Sequence, residues 1–208
     1  MLEHGFIQRP ERASKRLILL FHGVGSTFQS MIPLGKIIAL VCPEATIVSV
    51  PSPDKSELGT GFQWFSVAGI TEENRAHRIA KAMPAFAKTI SNLQASTGTT
   101  SAMTTLIGFS QGAIMSLEAI KRQDALAARI VSLSGRFASL PDQMPMLTKV
   151  DLIHGDADPV VAPAHAVAAF DRLKQLNAAV TLALVPGLSH TIDQQVVQSV
   201  LQLLVEPT

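Results

Sequence analysis

A strand, a tight turn and a helix follow one another at positions 104–112, which read TTLIGFSQG. The apolar run ends in GFSQG at 108–112, and apolar residues at helical spacing begin directly afterwards. This is the G-x-S-x-G pattern, and its place between a strand and a helix indicates a turn that exposes a nucleophilic serine. The two glycines leave room for close backbone packing, so the turn can aim the Ser110 hydroxyl out over the end of a sheet. Ser110 is therefore the candidate nucleophile.

The rest of the chain alternates apolar strand-like runs with segments of helix length, which predicts a mostly parallel sheet with helices on both faces. We expect strands at 16–21, 45–50, 104–109, 129–133, 150–154 and 180–185, with an antiparallel edge strand near 5–8. We expect helices at 30–41, 72–94, 111–122, 163–176 and 193–204. Pro84 should kink or divide the second of them. The chain has 208 residues and no evident linker, so we expect a single α/β domain over 1–208 with a minimal cap.

A serine hydroxyl is a poor nucleophile unless a base lies within hydrogen-bond reach. Three histidines follow Ser110 in the chain, at His154, His165 and His190. His190 is the best candidate for the base, because it lies in a loop directly after an expected strand. From such a loop its side chain can reach the carboxyl ends of the strands. A structural role is favoured for the other two, since His154 ends a strand and His165 falls within a helical pattern.

The base in turn needs a carboxylate that orients its ring. In proteins with this elbow the carboxylate lies between serine and histidine in the chain. The strand expected at 150–154 runs into HGDADPVV, which offers Asp156 and Asp158. The residue pattern alone does not separate the two. Asp193 is close to His190 in sequence, but its position before a helix favours a capping role.

A glycine-rich loop at 18–26, ILLFHGVGS, can present backbone N–H groups to developing negative charge. With this type of elbow, one oxyanion donor is the N–H of the residue after the nucleophile, here Gln111, and the other comes from a loop after an early strand. We assign the second donor to Val24. A dinucleotide-binding loop would need a third glycine where this chain has Phe28, and no Walker-type lysine follows.

Composition narrows the function classes further. The 17 basic and 16 acidic side chains give a net charge of +1, whereas nucleic-acid binders carry a clear basic excess. The apolar runs at 17–21 and 37–42 are far shorter than the roughly 20 residues of a membrane span. Cys42 is the only cysteine, which excludes an intrachain disulfide and a cysteine metal cluster. The N-terminus lacks an apolar signal core, so we expect a cytoplasmic protein.

Six segments, in this order, resemble the phospholipase/carboxylesterase family, which includes the acyl-protein thioesterases: LLFHGVGS, QWFS, GFSQG, LSG, HGDADPVV and GLSH. The resemblance extends over nearly the whole chain and implies an α/β-hydrolase fold. It places the triad aspartate on Asp158 and the oxyanion donors on Val24 and Gln111. It also implies that Trp64-Phe65 lies near the acyl site. The family usually has an aspartate after this pair, where this chain has Ser66.

The pattern as a whole predicts a serine carboxylesterase that hydrolyses short- to medium-chain acyl esters through an acyl-enzyme, without metal or cofactor. Acyl-protein thioesterase and lysophospholipase activities are alternatives, and a non-catalytic binding protein on the same fold is an alternative of another class. A small ester or thioester is the expected partner, and the apolar composition is compatible with a homodimer. We expect the acyl pocket to be shallow and to be formed by apolar loop residues: Trp64, Phe65, Ile70, Val160 and Leu188.

Overall fold

The computed structural model describes residues 5–122, 126–143 and 148–205, and these contain a seven-stranded sheet and a separate two-stranded one. The strands are β1 (Gly5–Gln8), β2 (Arg16–Phe21), β3 (Ala45–Val50), β4 (Asp54–Lys55), β5 (Phe62–Gln63), β6 (Thr104–Phe109), β7 (Arg129–Leu133), β8 (Lys149–Gly155) and β9 (Val180–Val185). The large sheet has the order β1-β3-β2-β6-β7-β8-β9. Strand β1 is antiparallel to β3, and every other neighbouring pair is parallel. The mostly parallel sheet and its antiparallel edge strand are thus confirmed.

Strand β2 illustrates why these apolar runs form central strands. Successive side chains of a strand point to opposite faces of the sheet. Leu17 and Leu19 accordingly pack into the core on one face, whereas Ile18 and Leu20 pack into the core on the other. All four are fully buried. A parallel strand covered on both faces needs such an unbroken apolar run.

Helices cover both faces, as the alternation predicted. They are α1 (Ile32–Val41), α2 (Glu72–Thr97), α3 (Gln111–Arg122), α4 (Ala164–Gln175) and α5 (Gln194–Val205). Helices α1 and α5 contribute to the core on one face, and α2, α3 and α4 contribute to the core on the other. None of the helices in the described part of the chain is long and apolar enough to cross a membrane.

Pro84 was expected to kink or divide helix α2, and it does not divide it. The helix continues over 26 residues with Pro84 inside. Its ends are well fixed: Thr71 and Asn74 form a reciprocal capping box, and Gly98 closes the C-terminus in the left-handed conformation. The face that packs on the sheet carries buried apolar residues on both sides of the proline, including Met83 and Phe86. This packing outweighs the loss of one backbone hydrogen bond.

The segment at 51–70, which has no clear period in the sequence, contains the small hairpin of β4 and β5. Main-chain hydrogen bonds attach this hairpin to the glycine-rich loop after β2. Phe62 donates to the Ser26 carbonyl at 2.7 Å and accepts from the Gly25 N–H at 2.9 Å. The contact depends on Gly61, because a methyl group at that position would lie 2.3 Å from the Gly25 carbonyl oxygen.

A fully buried ion pair joins the neighbouring strands β7 and β8, and one of its residues also bonds to α5. The Nε of Arg129 lies 3.0 Å from Oδ2 of Asp151, without the alignment of a hydrogen bond, and both side chains are 0% exposed. Arg129 also donates to the Leu203 carbonyl in the last turn of α5. Asp151 accepts a hydrogen bond from Thr181 at 2.6 Å. Removal of either charge would leave the other buried and uncompensated.

We predict that Asp151→Asn lowers the free energy of unfolding by about 3–5 kcal/mol, because the Arg129 charge then lacks its counter-ion. Urea titration followed by circular dichroism measures the change. Glu44→Gln is the control: it breaks the exposed pair with Lys15 and should cost less than about 1 kcal/mol. Equal effects of the two substitutions would contradict the assigned role of the buried pair.

Candidate active site

The three residues predicted to form the triad follow the carboxyl ends of parallel strands. Ser110 follows β6, Asp158 lies in the loop after β8, and His190 lies in the loop after β9. Because all three strands run parallel in one sheet, their carboxyl ends meet at the same edge. Loops at this edge are where ligand sites of open α/β sheets are found.

Ser110 has a left-handed backbone with φ of +53°, which is strained for a residue with a side chain. Its N–H donates to the Leu133 carbonyl at 2.9 Å, which anchors the turn to the neighbouring strand. The flanking glycines have the steric role expected of them. A methyl group on Gly108 would lie 2.4 Å from the Ala113 nitrogen, and one on Gly112 would lie 2.3 Å from a carbonyl oxygen of β2.

His190 lies between the serine and the carboxylate. Its Nε2 is 2.9 Å from Ser110 Oγ, and its Nδ1 is 2.7 Å from Asp158 Oδ2. An ionised carboxylate can only accept, so Nδ1 carries the proton and Nε2 is left to accept from the serine hydroxyl. The imidazole ring also packs on Phe109, with the ring centroids 4.9 Å apart. These contacts fix both the tautomer and the orientation that a general base requires.

The Asp158 carboxylate is buried and hydrogen-bonded on both oxygens. Oδ1 accepts from the N–H groups of Val160 and Val161, at 2.8 and 2.9 Å. Burial alone would raise the pKa of this carboxyl, but the hydrogen bonds from His190 and from these two N–H groups outweigh it and hold the pKa below its ordinary value. Asp158 is therefore ionised at neutral pH.

The two competing carboxylates have other partners. Asp156 accepts from the Gly187 N–H at 2.6 Å, in the loop that leads to His190. Asp193 accepts from the Val196 N–H at 2.9 Å and so caps α5, as expected from its position. Of these three carboxylates, only Asp158 bonds to the imidazole of His190.

His154 contacts the candidate site, although the sequence favoured a purely structural role at a strand end. Its Nε2 is 2.8 Å from the Val161 carbonyl oxygen and 3.3 Å from Asp158 Oδ2. Burial lowers the pKa of His154, so the ring is neutral and its Nε2–H donates to the Val161 carbonyl. The signal in the sequence was its place four residues before Asp158, across a tight turn.

The loops that carry the two predicted oxyanion donors both adjoin Ser110. A methyl group built on Gly23, the residue before Val24, would lie 3.2 Å from Ser110 Cβ. Gln111 directly follows Ser110 and begins α3, where unpaired N–H groups favour negative charge. Among the described residues, the main-chain N–H groups of Val24 and Gln111 have no hydrogen-bond acceptor.

The side chain of Gln111 has a role that the sequence did not indicate. Its Oε1 accepts from the Trp64 N–H, and its Nε2 donates to the Phe65 carbonyl, both at 2.7 Å. Gln111 is nearly fully buried, so this pair of bonds is shielded from water. It fastens the Trp64-Phe65 segment to the turn that holds Ser110.

A cavity of about 600 Å³ lies beside this segment, within the size range of small-molecule sites. Trp64 and Phe65 line it, together with Phe86, Met115 and residues along one side of α2. Three titratable groups of that helix, His77, Arg78 and Lys81, also line it. Of the five residues predicted to contact an acyl group, Trp64 and Phe65 are therefore at a cavity wall.

The other three predicted contacts are not in the lining of that cavity. Ile70 is half-buried and packs against the core on the α2 side of the sheet. Val160 is 67% exposed, and its N–H binds Asp158. Leu188 packs into the core on the opposite face, and its carbonyl accepts from the Ala157 N–H.

The sheet order, the crossover helices on both faces and the turn at Ser110 define an α/β-hydrolase fold. Residues 2–206 match the phospholipase/carboxylesterase family. The chain therefore belongs to this family of hydrolases, as its sequence segments predicted.

Individual relatives agree with this assignment. Esterase YpfH of Escherichia coli (strain K12) is 44% identical over 196 residues, which are 94% of this chain and 84% of that protein. Esterase PE8, known from its crystal structure, is 28% identical in sequence to this chain. The two structures superpose with a TM-score of 0.85, and 98% of each chain is covered. The Bacillus cereus carboxylesterase is 20% identical, with a TM-score of 0.81 over 98% of this chain and 93% of that one, and supports the fold alone.

We predict that Asp158→Asn lowers kcat for ester hydrolysis by about 10⁴-fold, because an amide at this position favours the wrong imidazole tautomer. Asp156→Asn is the matched control. It keeps an oxygen that can accept from Gly187, so its kcat should stay within about tenfold of the wild type. Steady-state kinetics on p-nitrophenyl butyrate compares the two variants, and the reverse ranking would mean that Asp156 is the orienting carboxylate.

Proposed function

We propose that this protein is a serine carboxylesterase with a triad of Ser110, His190 and Asp158. The observation that carries the proposal is the continuous hydrogen-bonded chain from Ser110 Oγ through the imidazole to Asp158, at 2.9 and 2.7 Å. Membership of a hydrolase family and 44% identity to an esterase support the same reaction class. Neither a metal nor an organic cofactor enters the chemistry.

In the acylation step, Ser110 Oγ attacks the ester carbonyl carbon while His190 Nε2 takes its proton. The C–O bond to the leaving group then breaks, and the imidazolium gives that proton to the departing alcohol oxygen. Water attacks the acyl-enzyme by the same route and releases the acid. Asp158 holds the ring in place and stabilises the imidazolium in both halves of the reaction.

The oxyanion of each tetrahedral intermediate is held by the main-chain N–H groups of Val24 and Gln111. Gln111 directly follows Ser110, and Gly23, the residue before Val24, packs against Ser110. Among the described residues, neither N–H group has another acceptor. The N-terminus of α3 adds a favourable dipole at the same point. One such donor is commonly worth about 3–4 kcal/mol in the transition state.

The acyl chain is assigned to the wall formed by Trp64 and Phe65. The side chain of Gln111, the residue after Ser110, bonds to the main chain of both residues, which supports this assignment. We propose short- to medium-chain esters as substrates, because the cavity at this wall, of about 600 Å³, is within the size range of small-molecule sites. A thioester could react by the same acyl-enzyme route, with a thiol as the leaving group.

We predict that wild-type protein hydrolyses p-nitrophenyl acetate, butyrate and octanoate, and that Ser110→Ala loses at least about 10⁴-fold in kcat because the nucleophile is absent. Release of p-nitrophenolate is the readout. Ser116→Ala is the control: this serine is buried in α3 and its hydroxyl donates to the Gly112 carbonyl of the same helix, so kcat should stay within about threefold.

A palmitate ester in the same series tests the acyl pocket. The proposed site predicts that kcat/KM is highest for butyrate or octanoate and falls for palmitate, since a shallow site leaves a long chain in water. A strong preference for palmitate would contradict the pocket. A folded wild type without turnover on any ester would favour the non-catalytic binding protein.

A further inference from the structure

The proposed oxyanion hole is built from two separate segments, and its function depends on their spacing. Val24 lies in the loop after β2, whereas Gln111 begins α3. An oxyanion donor works only if its N–H is held at 2.7–3.1 Å from the position of the developing charge. The contacts that hold the two segments together therefore matter for the rate.

Trp64 bonds to both segments. Its indole Nε1–H donates to the His22 carbonyl at 2.9 Å, two residues before Val24. Its main-chain N–H donates to Gln111 Oε1 at 2.7 Å. Trp64 is only 4% exposed, so both bonds are shielded from water and leave unpaired groups behind if they are lost.

His22 transmits this constraint to the Val24 N–H. The Ser52 N–H donates to His22 Nε2 at 3.4 Å, and burial lowers the pKa of His22, so the neutral ring carries its proton on Nδ1. This Nδ1–H donates to the Gly23 carbonyl at 2.8 Å. The C=O of Gly23 and the N–H of Val24 belong to one trans peptide unit and point in opposite directions. Fixing the carbonyl therefore fixes the direction of the donor.

We propose that Trp64 is a positioning residue for the oxyanion hole: it joins the two loops that carry Val24 and Gln111 and sets the distance between their N–H groups. This inference rests on the proposed serine esterase function. It differs from the role in acyl binding expected from the sequence, because it depends on the two N–H groups of Trp64 rather than on its apolar surface.

Trp64→Phe tests the proposal, because phenylalanine keeps an aromatic ring among Phe21 and Phe86 but has no indole N–H. We expect kcat for p-nitrophenyl butyrate to fall by about 10–100-fold, less than the complete loss of a donor costs. KM should change by less than twofold, and the pH profile of kcat/KM should not shift, since the triad is intact.

A pair of ketone inhibitors separates positioning of the donors from binding of the acyl chain. Ser110 Oγ adds to the carbonyl carbon of hexyl trifluoromethyl ketone, its proton passes to His190, and the resulting oxyanion lies in the hole. Hexyl methyl ketone has the same chain and forms no stable adduct. In Trp64→Phe, the inhibition constant of the fluorinated ketone should rise by the same factor as kcat falls, while that of the methyl ketone stays within twofold.

Phe21→Leu is the control for packing, since Phe21 does not line the cavity. The Phe21 ring lies 5.4 Å from the ring of Trp64 and gives no hydrogen bond to either loop. This variant should lose thermal stability but keep kcat and the ratio of the two inhibition constants within twofold. If Trp64→Phe does not fold, Gln111→Met must give the same kinetic signature, because it removes the side-chain bonds to Trp64 and Phe65 and keeps its own main-chain N–H.

Two results would overturn the inference. One is a Trp64→Phe variant with kcat and fluorinated-ketone affinity within twofold of the wild type. The other is an equal loss of affinity for both ketones, which would mean that Trp64 acts by contacting the acyl chain. Failure of the esterase function has a different signature, because the wild type would then neither turn over nor respond to the fluorinated ketone, and the role of Trp64 would fail with it.

Discussion

The strained turn at Ser110 is the constraint on which the remainder of the site depends. A positive φ at a residue with a side chain costs about 1–3 kcal/mol and persists only where the surroundings enforce it. Here the Ser110 N–H is bound to the Leu133 carbonyl of the next strand, and the glycines on either side allow α3 to begin directly after β6. The same turn directs the serine hydroxyl towards His190 and leaves the N–H of Gln111 at the helix N-terminus.

Buried polar bonds connect this turn to the loops around it. Gln111, Trp64 and His22 form one hydrogen-bonded series from the elbow to the glycine-rich loop. A second series connects His190, Asp158 and His154. In a shielded interior such series hold polar groups in one arrangement, since any partner left unpaired is costly. The candidate site is therefore organised by polar side chains set into an otherwise apolar framework.

Much of this could be predicted from local patterns. Apolar runs of strand length are buried on both faces of the sheet, so strands such as β2 and β6 have the predicted bounds. The positions of strand ends indicated Ser110, His190 and a carboxylate at Asp156 or Asp158, and the family resemblance implied Asp158. Patterns of this kind contain no information on contacts between distant segments. The bonds of Trp64 to two loops and the contact of His154 with Asp158 follow from the packed structure. The hairpin of β4 and β5 was missed because its strands have only two residues each.

Covalent labelling of the active serine shows whether Ser110 is the nucleophile. Ser134 is a suitable internal comparison, because it is also buried, also has a positive φ and follows the strand next to β6. After reaction with a fluorophosphonate, proteolysis and mass spectrometry would locate the adduct. If Ser110 is the nucleophile, we expect one phosphonyl group per chain, on the peptide that contains Ser110. An adduct on Ser134 or another serine, or no adduct on folded and active protein, would contradict it.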